Sequence, residues 1–104
     1  MSIKKKSTAM KYLETATGEK LTLANLLEAI RKSDEISQVE FARKLGISKS
    51  HLCDIEKGRK TVSPERAARF AEILGYSADQ FVRLSLQAIL DEAGLKMKVE
   101  VEAA

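Results

Sequence analysis

The stretch SQVEFARKLGISKSHLCDIEKG, residues 37–58, decides the fold of this chain. It predicts two short helices joined by a tight turn. Ser37 is a good N-cap, and Glu40 three residues later completes a capping box. Gly46 is expected to end the first helix, because glycine adopts the left-handed conformation at little cost. Ser48 then caps the second helix, so the connection is short and the two helices must cross steeply.

Each of the two predicted helices has one apolar face. Phe41, Ala42 and Leu45 form a stripe on the first helix. Leu52 and Ile55 recur at the i, i+3 spacing on the second. Because Ala42 is small, it lets the helices approach closely. The opposite face of the second helix is therefore free to meet a partner.

Helical patterns also flank this stretch. On the N-terminal side, Thr22 is a predicted cap for a helix that ends near Ser33. On the C-terminal side, Ser63 followed by a proline starts a fourth helix, which Gly75 ends. Ser77 caps a fifth helix whose apolar face is too wide for a domain of this size to bury easily. At 104 residues the chain is long enough for one domain, and an all-α fold of five helices is predicted.

The two ends of the chain differ from this helical region. Residues 1–20 are predicted to form a partly disordered N-terminal arm, and residues 21–94 the domain itself, with its second motif helix at about 48–57. Residues 95–102 alternate strictly between apolar and charged side chains, which is typical of a β-strand. A lone strand leaves its backbone groups unpaired. The tail, residues 95–104, is therefore expected to pair with the tail of a second copy or with residues 9–15.

Charge and composition narrow the class of protein. Residues 37–69 carry eight basic and four acidic residues, whereas residues 70–104 carry three basic and six acidic residues. The positive excess thus falls on the predicted helix pair and the loop after it, as a phosphate-binding surface requires. The single Cys53 excludes an internal disulfide and fits a reducing cytosol. No apolar run is long enough for a membrane span, so a cytoplasmic protein is expected.

The central stretch resembles the helix-turn-helix of the Cro and phage-repressor family, also called the xenobiotic-response-element family. The resemblance rests on small, apolar and polar residues in matching register: Gln38, Phe41, Ala42, Leu45-Gly46-Ile47-Ser48, Leu52, Ile55, Glu56 and Gly58. It implies a five-helix, lambda-repressor-like DNA-binding domain followed here by a short C-terminal β-strand. It also implies an arginine–glutamate pair, Arg31 with Glu56. This pair ties the helix that Thr22 caps, the first of the five, to the helix that Ser48 caps, the third of the five.

The third helix is expected to enter the major groove, where its N-terminal residues meet base edges. Lys49, Ser50 and Asp54 lie on its outward face, at positions where the resemblance places base-reading side chains. His51 is one position further round and is assigned either to a phosphate or to simple exposure. The remaining predicted DNA contacts are to phosphates: Gln38, Ser48, Lys57, Arg59 and Lys60.

An enzyme is not expected, because the chain has one histidine, one cysteine and no glycine-rich phosphate loop. No spacing suits a metal, and no cofactor is predicted. The predicted function is a dimeric repressor that binds double-stranded DNA. The alternative is an antitoxin that binds a toxin protein and represses its own operon. The predicted dimer contacts lie on the fifth helix and the tail: Leu86, Ile89, Leu90, Met97, Val99 and Val101.

Overall fold

The structure is a computed structural model that describes residues 21–104. The predicted N-terminal arm, residues 1–20, lies outside this part of the chain. The described part contains five helices: α1 Leu23–Ser33, α2 Gln38–Leu45, α3 Lys49–Glu56, α4 Pro64–Leu74 and α5 Ala78–Glu92. The predicted all-α fold is confirmed for these residues.

Every one of these helices starts at a hydroxyl side chain. Thr22, Ser37, Ser48, Ser63 and Ser77 each accept a hydrogen bond from the backbone N–H three residues further on. This contact satisfies one of the N–H groups that a helix N-terminus leaves without an internal partner. The five caps expected from the sequence are therefore confirmed.

Left-handed glycines end two of the helices. Gly46 after α2 has φ of 76° and Gly75 after α4 has φ of 78°, a region that side chains with a Cβ rarely adopt. Gly58 after α3 and Gly94 after α5 are also left-handed, with φ of 76° and 77°, and each directly follows the C-cap residue of its helix.

A single apolar core joins the five helices. Its largest members, Phe41, Phe70 and Phe81, are almost completely buried, with Leu27 and Leu52 packed in the same cluster. Helices α4 and α5 make the most extensive contact, while α3 packs on α1 and α2. Burying one such side chain stabilises the fold by about 1.5–3 kcal/mol. The core therefore fixes α3 by its inner face and leaves its outer face exposed.

The predicted C-terminal strand is not seen within one copy of the chain: residues 95–104 have no regular secondary structure there. A side chain takes the place of the missing neighbouring strand. The buried Gln87 amide donates from Nε2 to the Met97 carbonyl (2.7 Å), and its Oε1 accepts from the Val99 N–H (2.9 Å). Apolar alternation records which faces the side chains occupy, but it does not show what supplies the backbone hydrogen bonds. Leu95 and Met97 stay 44% and 60% exposed.

Within residues 21–104, no helix is both long and apolar enough to cross a membrane.

Candidate nucleic-acid interface

The first turn of α3 forms an exposed polar end. Ser48 caps the helix by accepting from the His51 N–H at 3.0 Å, and Lys49 and Ser50 are exposed beside it. The inward-facing Leu52 is fully buried, which sets the rotation of the helix. Burial of one face thus turns the predicted base-reading side chains outward. The helix N-terminus adds partial positive charge at the same place.

Asp54, one turn further along α3, is paired with two cations. Its carboxylate accepts from Arg59 Nε at 2.9 Å and lies 3.8 Å from Lys60 Nζ. The Asp54 carbonyl also accepts from the backbone N–H groups of Arg59 and Lys60. The hydrogen bond to Asp54 raises the pKa of Arg59. Asp54 therefore holds the basic loop, residues 57–63, against α3, and much of its negative charge is balanced within the protein.

The far end of the basic loop is anchored in the core. Val62 is buried, and its carbonyl accepts a hydrogen bond from the buried Ser85 hydroxyl of α5 at 2.5 Å. Lys57, Arg59 and Lys60 are exposed in this loop. The loop thus presents three positive side chains from a backbone attached at two points.

A buried ion pair fixes the other side of α3. Arg31 donates from Nε to Glu56 Oε2 at 2.8 Å and from Nη2 to Oε1 at 3.0 Å. The side chain of Glu56 is 2% exposed and that of Arg31 is 14% exposed. The hydrogen bond to Glu56 raises the pKa of Arg31, against the effect of burial. The pair joins α1 to α3, in the arrangement that the family resemblance implies.

Gln38 takes part in the same network. Its Nε2 donates to Glu56 Oε1 at 3.0 Å, so three donors converge on one carboxylate. One amide hydrogen of Gln38 is thus occupied within the protein, and its contact with a phosphate stays a prediction. The side chain is half-buried, at the start of α2. Gln38 thus links the first residue of α2 to the last residue of α3.

Arg66 is a residue that the sequence reasoning missed. Its Nη1 lies 3.3 Å from Nδ1 and 3.4 Å from Nε2 of His51, so α4 reaches the outer side of α3. Burial lowers the pKa of His51, and the positive charges of Arg66 and Lys60 lower it further, while Asp54 opposes them. The sequence carries one sign that Arg66 has a role: it lies in the first turn of α4, where the helix dipole disfavours a cation.

The predicted dimer contacts form a separate group on α5 and the tail. Ile89 is 43% exposed, whereas Leu86 and Leu90 are half-buried. In the tail, Met97 is exposed, and Val99 and Val101 are half-buried. Their roles stay predictions, because they concern contact with a second copy.

The described residues contain no group of three or more His, Cys, Asp or Glu side chains placed to hold a metal ion. The one histidine lies against Arg66. The thiol of Cys53 lies 3.9 Å from Arg59 Nη2. Both residues belong to the polar, basic surface around α3.

Two helices joined at Gly46, with an exposed second helix and a basic loop after it, define a DNA-binding protein of the helix-turn-helix class. Comparison with protein families agrees: the helix-turn-helix family matches residues 27–81, just over half of the chain. The chain belongs to this family and is a DNA-binding transcriptional regulator of the phage-repressor type.

Two relatives come from Bacillus phage phi105. The "ImmF control region 10 kDa protein" is 31% identical over 72 residues, which cover 69% of this chain and 79% of that protein. The "Immunity repressor protein" is 34% identical over 62 residues, which cover 60% of this chain and 43% of that protein. No solved structure gives a significant match. These matches point to a regulator rather than an enzyme.

Proposed function

We propose that the protein is a homodimeric repressor that binds an operator of two related half-sites and blocks transcription by occupying a promoter. The observation that carries this proposal is the exposed first turn of α3, flanked by the positive side chains of the basic loop. The immunity-region names of the two phage relatives support it.

The contacts divide into two kinds. Lys49 and Ser50 meet base edges in the major groove, where the lysine donates to guanine O6 or N7 and the serine hydroxyl donates or accepts. Lys57, Arg59 and Lys60 meet phosphates, which position the domain without reading the sequence. Because Arg59 and Lys60 are arranged around Asp54, that carboxylate sets their positions and reduces the net positive charge of the site.

The proposed dimer is a tail-to-tail pair, and the Gln87 contact within one copy limits which backbone edge of the tail such a pair can use. In an extended segment, the N–H and C=O of one residue point to the same edge, and successive residues alternate between edges. Gln87 occupies the edge formed by Met97 and Val99. The other edge carries the even-numbered residues, such as Lys98 and Glu100. A second copy that adds its tail there pairs even residues with even residues.

Charge then selects one register among those centred on residues 98 to 100. A two-fold axis at Lys98 or Glu100 sets a like-charged residue opposite itself, which is destabilising. An axis at Val99 sets Lys98 opposite Glu100 and Lys96 opposite Glu102, all of opposite sign. We therefore assign the axis to Val99. Each favourable cross-strand pair contributes about 0.2–1 kcal/mol.

The test is selection of duplexes from a random pool by the purified protein, followed by footprinting and sedimentation. We expect an enriched pair of half-sites whose centres are separated by about 34 Å, or one turn of DNA, with protection on one face of the duplex. Failure to enrich any sequence, with binding equal for all duplexes, would contradict the proposal.

The second candidate function is an antitoxin. The exposed Leu95 and Met97 favour it, because a partner protein could cover them in place of a second copy. The discriminating test is co-expression with the product of the neighbouring gene. Stable co-purification through the tail, lost when residues 95–104 are removed, would support the antitoxin. Sedimentation as a homodimer without that partner would support the repressor.

A further inference from the structure

The contact between Arg66 and His51 is unusual because it brings two basic side chains together. Nη1 of Arg66 is almost equidistant from the two ring nitrogens, so it follows the lone pair of neither. Within residues 21–104, Arg66 makes no ion pair with a carboxylate, and His51 makes no other side-chain hydrogen bond. Arg66 therefore does not occupy the in-plane position of either imidazole nitrogen, and His51 is only half-buried.

Nearby charges give this pair a positive environment. Arg66 is on α4, Lys60 is on the basic loop and Asp54 is on α3, and these are the charged groups that act on His51. Asp54 is already paired with Arg59 at 2.9 Å and approached by Lys60. The negative charge of Asp54 is therefore largely neutralised by the basic loop. An anion at Arg66 and His51 would supply a negative charge that the protein alone does not place there.

The place of His51 on α3 indicates which anion this is. His51 follows Lys49 and Ser50 on the helix that enters the major groove, so its outer side faces the rim of the groove, where the phosphates run. Arginine binds phosphate oxygens through several N–H donors, and protonated histidine adds one more. We propose that Arg66 and His51 together bind one phosphodiester of the operator backbone, with the imidazole protonated in the complex.

This proposal rests on the proposed function and adds to it a linkage between DNA binding and pH. Free His51 titrates below its ordinary value of about 6.5, because burial and positive neighbours lower its pKa. A phosphate beside the ring favours the charged form and raises the pKa. Binding therefore takes up a proton, supplied by the solvent. The affinity for DNA rises as the pH falls through the interval between the two pKa values, by at most tenfold per pH unit.

Arg69 offers a matched control, because it is exposed on the same helix and carries the same charge. We would measure binding of a fluorescent duplex by wild type, Arg66→Ala, Arg69→Ala and His51→Gln at pH 7.5 and pH 5.5. Arg66→Ala should weaken binding to every sequence and lower the salt slope by about one unit, because one phosphate contact is lost. Arg69→Ala should change the slope by much less.

His51→Gln tests whether His51 takes up the proton on binding, because the glutamine amide does not titrate. Wild type should bind more tightly at pH 5.5 than at pH 7.5, and His51→Gln should lose this gain. Equal salt slopes for Arg66→Ala and Arg69→Ala, or a pH dependence that survives in His51→Gln, would overturn the site. Those results leave the proposed function intact if wild type still selects an operator. A wild-type protein that binds no DNA would overturn both proposals.

Discussion

Residues 23–92 and the tail satisfy their backbone groups by different means. The helical region uses its own hydrogen bonds, five hydroxyl caps and a core of fully buried side chains. The tail is held chiefly by one amide side chain, Gln87, and leaves Leu95 and Met97 exposed. The helical region is complete within one copy of the chain.

This difference indicates that the helical region determines the fold of one copy, whereas the tail determines association between copies. A segment with one filled and one open backbone edge gains stability when another strand fills the open edge. Changes in the helical region should therefore alter the free energy of unfolding or the affinity for DNA. Changes in the tail should alter association between copies and leave the fold of each copy unchanged.

The largest expected effect is in the helical region. Glu56→Ala removes the carboxylate that accepts from Arg31 and Gln38, and leaves a largely but not fully buried guanidinium without a counter-charge. The free energy of unfolding should fall by about 3–5 kcal/mol. Urea unfolding followed by circular dichroism measures it. Glu72→Ala is the control, because this exposed residue of α4 should change stability by at most about 0.5 kcal/mol. Equal values for the two variants would show that the ion pair is dispensable.

The next effect concerns the exposed face of α3. Lys49→Ala should cost about 1–3 kcal/mol of operator affinity and relax the preference at one base position, because a donor to a base edge is lost. Repeating the duplex selection with the variant measures both. Lys32→Ala removes the same charge from the exposed end of α1 and should leave the preference unchanged. An unaltered preference in Lys49→Ala would show that another residue reads that base.

The basic loop should respond differently from α3. Arg59→Ala or Lys60→Ala should weaken binding to all sequences and lower the salt slope by about one unit, since each removes a phosphate contact. Arg59→Ala should be the more damaging, because it also frees Asp54, a carboxylate that repels phosphates. Titrations with operator and random duplexes at several salt concentrations test this. A loss confined to the operator would mean that the loop reads bases.

The smallest effect is expected in the tail. Lys98→Glu sets like charges opposite each other twice in the symmetric ribbon and should weaken the dimer. Adding Glu100→Lys should restore it, because each cross-strand pair again has opposite signs, worth about 0.2–1 kcal/mol apiece. Sedimentation of the three proteins gives their dissociation constants. The thermal midpoint of each variant at a concentration where it is monomeric should match that of wild type. A dimer that is equally stable in Lys98→Glu would contradict the Val99 register.

Local chemistry made most of the fold predictable. A hydroxyl before an apolar stripe fixes a helix start whatever lies around it, so all five starts were found. The strand prediction for the tail did not hold within one copy, because alternation at Met97 and Val99 describes only side-chain faces. The partner of their backbone groups is Gln87, ten or more residues away. The exposed position of Lys49 followed from the burial of Leu52.

Pairings at the site were harder to predict. The contact of Asp54 with Arg59 depends on how the loop turns back over α3, and a spacing of five residues does not determine that turn. Arg66 reaches His51 across 15 residues of sequence through its long side chain, a tertiary contact that the spacing of the two residues does not determine. Arg31 and Glu56, 25 residues apart, were paired only through the family resemblance.

The attachment of the basic loop at two points has an entropic consequence. Its backbone is fixed at Arg59 and Lys60 by the Asp54 carbonyl and at Val62 by the Ser85 hydroxyl. Immobilising a mobile side chain at an interface costs about 0.5–1.5 kcal/mol, and a disordered backbone adds to that cost. In this protein, folding has already ordered the loop backbone. On binding to phosphates, the loop's lysines and arginine therefore lose only side-chain rotamer freedom. This favours slow dissociation, and no slow rearrangement of the loop has to precede binding.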